Sequence, residues 1–309
     1  MSHTSHSDGK LQLEKAVFEH EAAAMAEEQA VAQAHPVKEN SDSWWSYPAT
    51  YGLVLVNVLV FAVMFRFGPM ADALRQHAWG EVLTAQFDGD TLVRFGGCDS
   101  IRVLQGEWWR LLTACFVHGT VLHVVLNMWC LWNLGLFGER LLGRYGLVAV
   151  YMLTGVAGNL LSLACSLFIR TNLLVVGASG AIFGITGVLI VLLSNRGLVR
   201  NGLQWKDIRG LRSQVVLFAV ANLVLGAAPN MIPMFSDSTL RVLHVNPAVV
   251  PHIDNTAHLG GFFSGLLLAW PLFSRMTVGK AQYRTRQRVV FTCAALLLAM
   301  VSYAVARFA

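Results

Sequence analysis

The residues able to do chemistry in this 309-residue chain lie in three short stretches. The first is Gly177-Ala178-Ser179-Gly180-Ala181-Ile182-Phe183-Gly184, which opens an apolar run. A serine in the first turn of a helix sits beside free backbone N–H groups and the positive end of the helix dipole. A serine nucleophile needs such donors for its oxyanion. The stretch also reads as packing alone, because Gly180 and Gly184 make a GxxxG and small residues let helices approach closely in lipid. The second stretch is Asp254-Asn255-Thr256-Ala257-His258-Leu259-Gly260-Gly261, with Gly265 beyond it. An ionisable residue within an apolar run is costly and tends to be functional. Gly261 and Gly265 form a second GxxxG, and two glycine-faced helices can bring a serine within reach of a histidine base. A histidine bonded to a neighbouring helix for structure is the alternative. The third stretch holds His118, His123 and Asn127. His123 and Asn127 share one helical face. They could donate to a developing oxyanion or join helices as interhelical hydrogen bonds. His118 is expected nearer the surface, in a structural role.

Other chemistries fit poorly. There is no helical HExxH for a zinc protease, and the spacing of His118 and His123 suits no single helical face. No apolar run carries an Asp at its centre, which disfavours an aspartyl intramembrane mechanism. The five cysteines (Cys98, Cys115, Cys130, Cys165 and Cys293) show no metal spacing, and four of them lie in apolar runs. They read as small hydrophobes. Neither a metal nor a cofactor is expected.

The elements that must position these residues are membrane helices. The chain is 55% hydrophobic and 13% charged, with mean hydropathy +0.53, against about 25% charged residues in a soluble domain. Its net charge of +5 sits between apolar runs, which points to membrane topology rather than nucleic acid. Residues 1–46 are polar and lack the apolar core of a signal peptide, so targeting falls to the first span. Within them, Leu11 to Ala34 reads as a lone surface helix or a disordered tail. Trp44, Trp45 and Tyr47 fit an interface belt. Apolar stretches follow at about 50–67, 109–136, 146–169, 177–195, 213–233, 256–273 and 289–306, each near the ~20 residues a span requires. Pro229 and Pro233 make the fifth the weakest.

Arg196, Arg200, Lys206, Arg209 and Arg212 follow the fourth stretch, and Arg275, Lys280, Arg284, Arg286 and Arg288 follow the sixth. Lys and Arg favour the cytoplasmic side. Alternation then puts the N-terminus inside, the C-terminus outside, and the long 68–108 loop outside. Ser179 and His258 would both enter the membrane from outside, at similar depth.

Taken together these motifs resemble the rhomboid family over roughly Gly106 to Leu272. Glu107-Trp108-Trp109-Arg110 resembles its first-loop WR element, and His118, His123 and Asn127 its HxxxxHxxxN helix. Gly138-Glu139-Arg140 resembles the turn that follows. Gly177-Ala178-Ser179-Gly180 resembles the nucleophile motif, and Ala257-His258-Leu259-Gly260-Gly261 the base motif. The resemblance implies an all-α polytopic membrane bundle: a polar tail over 1–46, a six-helix catalytic core over 47–275, and a basic loop with a seventh transmembrane helix over 276–309. It implies an intramembrane serine endopeptidase acting on transmembrane proteins, with Ser179 and His258 as a dyad and His123 and Asn127 at the oxyanion. Trp108, Arg110 and Glu139 would seat the first loop and the turn after the second helix. Asp254 lies near the base but is not read as a third member. Phe183 stands where some members carry Tyr, and it either packs on His258 or is an ordinary lipid- or core-facing residue. A bacterial inner membrane is the expected location. The alternative is a non-catalytic relative that binds membrane clients, and such members typically lack the serine or the histidine.

Overall fold

The computed structural model describes residues 46–67, 75, 85–195, 205–231, 254–273 and 280–308. The polar tail, Trp44, Trp45 and much of the basic loops lie outside these residues. Tyr47–Ala309 forms one compact unit, and it is mostly helical.

Helix α1 (Pro48–Phe67) has an inverted surface. Thr50, Leu53, Asn57, Phe61 and Met64 are buried, whereas Leu55, Val56, Val58, Leu59 and Val63 are exposed. Polar Thr50 and Asn57 point inward while apolar side chains cover the outside, as lipid requires.

The 68–108 segment, expected as a loop, contains two short helices among its described residues, α2 (Gly89–Arg94) and α3 (Ser100–Leu104), each N-capped by an aspartate, Asp88 and Asp99. Between them, β1 (Cys98–Asp99) pairs antiparallel with β2 (Leu174–Val175), a small departure from an all-α reading. The 109–136 stretch also divides. Residues 109–120 form α4 (Arg110–Thr113), a 3-10 turn (Ala114–Phe116) and a loop, and the long helix α5 begins only at Val121. Thr120 causes the break: its backbone is extended and its side chain accepts from the His123 N–H at 3.0 Å.

Helix α5 (Val121–Ile169) is two helices joined by one residue, Gly143, at φ 75° and ψ 163°. A straight helix of 49 residues would extend about 73 Å. Instead its second arm returns to the level of its own start, where Asn159 donates to the Leu111 carbonyl at 2.8 Å. These arms are the second and third expected spans.

Helix α6 (Ser179–Leu193) lies at the centre, with 12 of its 15 residues buried. An apolar helix shielded on nearly all sides is an interior helix. Around it stand α5, α7 (Trp205–Met231) and α8 (Asn255–Phe273). Helix α9 (Lys280–Phe308) lies at the edge. Gln287 of α9 donates to the Leu142 carbonyl beside the Gly143 reversal at 2.9 Å, and Tyr283 stacks on Phe273.

Four helices among the described residues are long and apolar enough to cross a membrane. They are Pro48–Phe67, Val121–Ile169, Asn255–Phe273 and Gln282–Val305, and the shorter Ser179–Leu193 is also apolar. All five cysteines are free. Burial, helped by neighbouring Cys115, pushes the Cys98 thiol up to about 12, so it stays protonated and unreactive at neutral pH.

Candidate active site

Helices α6 and α8 meet through their glycines. A Cβ on Gly261 would overlap the Gly180 carbonyl, and one on Gly265 would overlap that of Gly184. On the other flank of α8, a Cβ on Gly158 of α5 would stand 2.5 Å from the Ala257 carbonyl. Only hydrogen fits at these positions, and the backbones therefore approach far more closely than ordinary helices do.

This approach joins the first turns of both helices. Ser179 Oγ lies 2.7 Å from His258 Nε2. With the imidazole proton on Nδ1, the hydroxyl donates to Nε2, as a nucleophile must to its base. Phe183, one turn along α6, stacks on the His258 ring at 4.5 Å and 17°. Of its two readings, packing on His258 is the one found. Phe183 thus sets the plane in which the ring lies.

Asp254 is not the partner of Nδ1. Its Oδ1 accepts from the Thr256 N–H at 2.9 Å, the Ala257 N–H at 3.3 Å and the Thr256 hydroxyl, and its Oδ2 accepts from Ser162. This is the pattern of a helix N-cap. His258 Nδ1 has no hydrogen-bond partner among the described residues.

A polar wall lies beside the serine. Helix α6 has no side-chain cap, and the N–H groups of its first turn lack intrahelical acceptors. Gly177 holds φ at +122°, and a Cβ there would lie 2.7 Å from His123 Nε2 and 3.7 Å from Ser179 Oγ. His123 and the serine therefore border one small volume. Asn127 uses one N–H on the His123 carbonyl at 2.9 Å, and an amide nitrogen carries a second. His118, expected nearer the outer membrane surface in a structural role, is fully buried in the loop before α5. Its Nε2 accepts from the Ala178 N–H at 3.4 Å and its ring packs edge-on against His123 at 5.0 Å. It braces the residue before the serine.

The surrounding motif residues are structural. Arg110 is buried, pairs with Glu107 at 2.6 Å and donates to the carbonyls of Val93 and Gly97. It ties the first loop together, whereas Trp108 is 65% exposed. Glu139, close before the Gly143 reversal, reaches the start of α1. Its carboxylate accepts from the N–H groups of Ala49 and Thr50 and from the Thr50 hydroxyl, at 3.0, 2.8 and 2.7 Å, and so caps the start of α1.

The sequence reading missed a polar stripe on the second arm of α5. Tyr151 donates to the Cys115 carbonyl and Asn159 to that of Leu111, Ser162 reaches Asp254, and Ser166 meets Ser100. The spacing of Asn159, Ser162 and Ser166 at three to four residues inside an apolar run was the available signal.

The family description Rhomboid domain matches residues 105–275. The chain belongs to the rhomboid family. It is an integral, multi-pass membrane protein. Among curated relatives, Rhomboid protease GluP of Bacillus subtilis is 32% identical over 181 residues, which cover 58% of this chain and 29% of that protein. RHOMBOID-like protein 4 of Arabidopsis thaliana is 35% identical over 191 residues, 61% of this chain and 40% of the relative. The chain thus spans less than half of either protein. RHOMBOID-like protein 6, mitochondrial, of the same plant is 28% identical over 267 residues, covering 80% of this chain and 76% of its own length. In this rhomboid, the matched segment contains the serine, the histidine and the polar wall around them.

Proposed function

We propose that this rhomboid is an intramembrane serine endopeptidase that cleaves transmembrane proteins near the outer membrane face. The observation that carries the reading is the 2.7 Å contact between Ser179 and His258, made between two helices whose glycines allow no side chain to intervene. Ser179 attacks the scissile carbonyl as His258 Nε2 takes its proton. The first-turn N–H groups of α6, the second N–H of Asn127 and the ring of His123 border the volume in which the oxyanion forms. His258 then passes its proton to the leaving amine. The imidazolium formed in between lies against the Phe183 face, an attraction of about 0.5–2 kcal/mol, which supports a dyad without a carboxylate. The substrate bond must leave its helix to reach the serine, so small or helix-breaking residues at the cleavage point favour reaction.

We read the architecture as a six-helix core over 47–275 with α9 as a seventh span, the N-terminus cytoplasmic. Helix α6 has 15 residues, about 22 Å of helix against a hydrocarbon core of ~30 Å. Ser179 at its outward end would then lie below the headgroups. The client-binding alternative gains nothing from a site in which both reactive residues are present and touching. Labelling with a fluorophosphonate probe, together with cleavage of a model transmembrane substrate in liposomes, tests the reading. Wild type should label and cleave, and Ser179→Ala should do neither while remaining folded. Cleavage at the wild-type rate by Ser179→Ala would end the proposal.

A further inference from the structure

The geometry points to Asp254 and Ser162 as a positioning pair for His258, a tether across two helices that sets where α8 starts and hence where the imidazole stands. The inference rests on the proposed dyad. Apart from the Phe183–His258 stack and the dyad itself, much of the contact between α6 and α8 is made by glycines and backbone. Such a face brings helices close but offers few side chains to resist a small slide or rotation. The Ser179–His258 hydrogen bond tolerates little of either, since a displacement of about 1 Å can cost on the order of 100-fold in rate.

A further contact suited to hold the register sits a single turn before the base. Asp254 caps α8, and the first intrahelical bond runs from the His258 N–H to the Asp254 carbonyl at 3.3 Å. His258 is thus coupled to the cap through one turn of backbone. The second carboxylate oxygen of Asp254 accepts from Ser162 Oγ on the second arm of α5. Ser162 is fully buried, and its arm is held in turn by Asn159 on the Leu111 carbonyl. The carboxylate makes no hydrogen bond to Ser179 or to His258 Nδ1 among the described residues, and helix placement is the effect proposed for it.

The test uses the full chain in detergent, with kcat and KM measured on a transmembrane substrate. Asp254→Ala should lower kcat by about 10- to 100-fold with KM unchanged. Asp254→Asn should restore kcat to near wild type, because the amide oxygen still caps the helix and the amide nitrogen can donate to Ser162 Oγ. Ser162→Ala should lower kcat in the same direction, and the double variant Ser162→Ala/Asp254→Ala should be no worse than Asp254→Ala alone, the non-additivity of a shared contact. Wild-type kcat in Ser162→Ala would overturn the pairing even if Asp254→Ala failed to fold. An Asn variant as impaired as the Ala variant would overturn it differently, by showing that charge rather than placement matters. Activity surviving Ser179→Ala would instead sink the dyad reading, so the two failures are distinguishable.

Discussion

At the scale of residues, the site depends on what is missing as much as on what is present. Gly177 has no side chain, and the volume it leaves is bordered by His123 and Ser179 Oγ. Gly177→Ala would fill that volume and force φ +122° on a residue with a Cβ, at a backbone cost of about 1–3 kcal/mol. Cleavage should fall by about 100-fold or more, the scale of a lost oxyanion donor, and fluorophosphonate labelling of Ser179 should fall with it. A variant that labels and cleaves normally would show that the oxyanion lies elsewhere. The two residues that meet at 2.7 Å were legible in the sequence because lipid makes polar residues expensive, so His258 and the Ser179 glycine stretch stood out. The partner of Asp254 was not legible. Ser162 lies 92 positions away, and its pairing depends on how α5 folds back on itself.

At the scale of elements, one-residue features decide where helices begin and end. Mean hydropathy placed the spans but blurred their edges. It ran the second span back to 109 because Trp109, Leu111, Leu112 and Phe116 are as apolar as the helix that follows, whereas the Thr120 cap sets the true start. It left a gap between 136 and 146 where the helix continues to Leu142 and reverses at Gly143. No atom lies within 4 Å of a Cβ built on Gly143, so Gly143→Ala creates no clash and tests backbone strain alone. It should destabilise the protein by about 1–3 kcal/mol and lower its thermal midpoint in detergent, with cleavage at low temperature retained. An unchanged midpoint would mean that the reversal tolerates an ordinary residue.

At the scale of the whole molecule, an apolar exterior surrounds a mostly apolar core that also admits polar groups: Phe168, Leu267, Trp270 and Met300 are 89%, 75%, 75% and 68% exposed, while Thr50, Asn57, Thr154, Asn159 and Ser162 are buried. That surface suits hydrocarbon, and the proposed span order puts the two chain ends on opposite sides. A phosphatase reporter fused after Ala309 should be active outside the cell and one fused before Met1 inactive, with a cytoplasmic reporter showing the reverse. Both ends reporting the same side would remove the seventh span from the architecture. The multi-pass class was readable from composition alone, but the two-residue ladder between β1 and β2 was not, because Cys98-Asp99 and Leu174-Val175 are too short to carry a period.

The Gly143 reversal has a consequence for biogenesis. With one residue between the two arms of α5, there is no loop long enough for the first arm to settle alone and wait for the second. Once folded, the two arms run back to back, and neither can change its orientation without the other. The carbonyl of Leu142 at their junction then gains its Gln287 partner only once the last helix has been made.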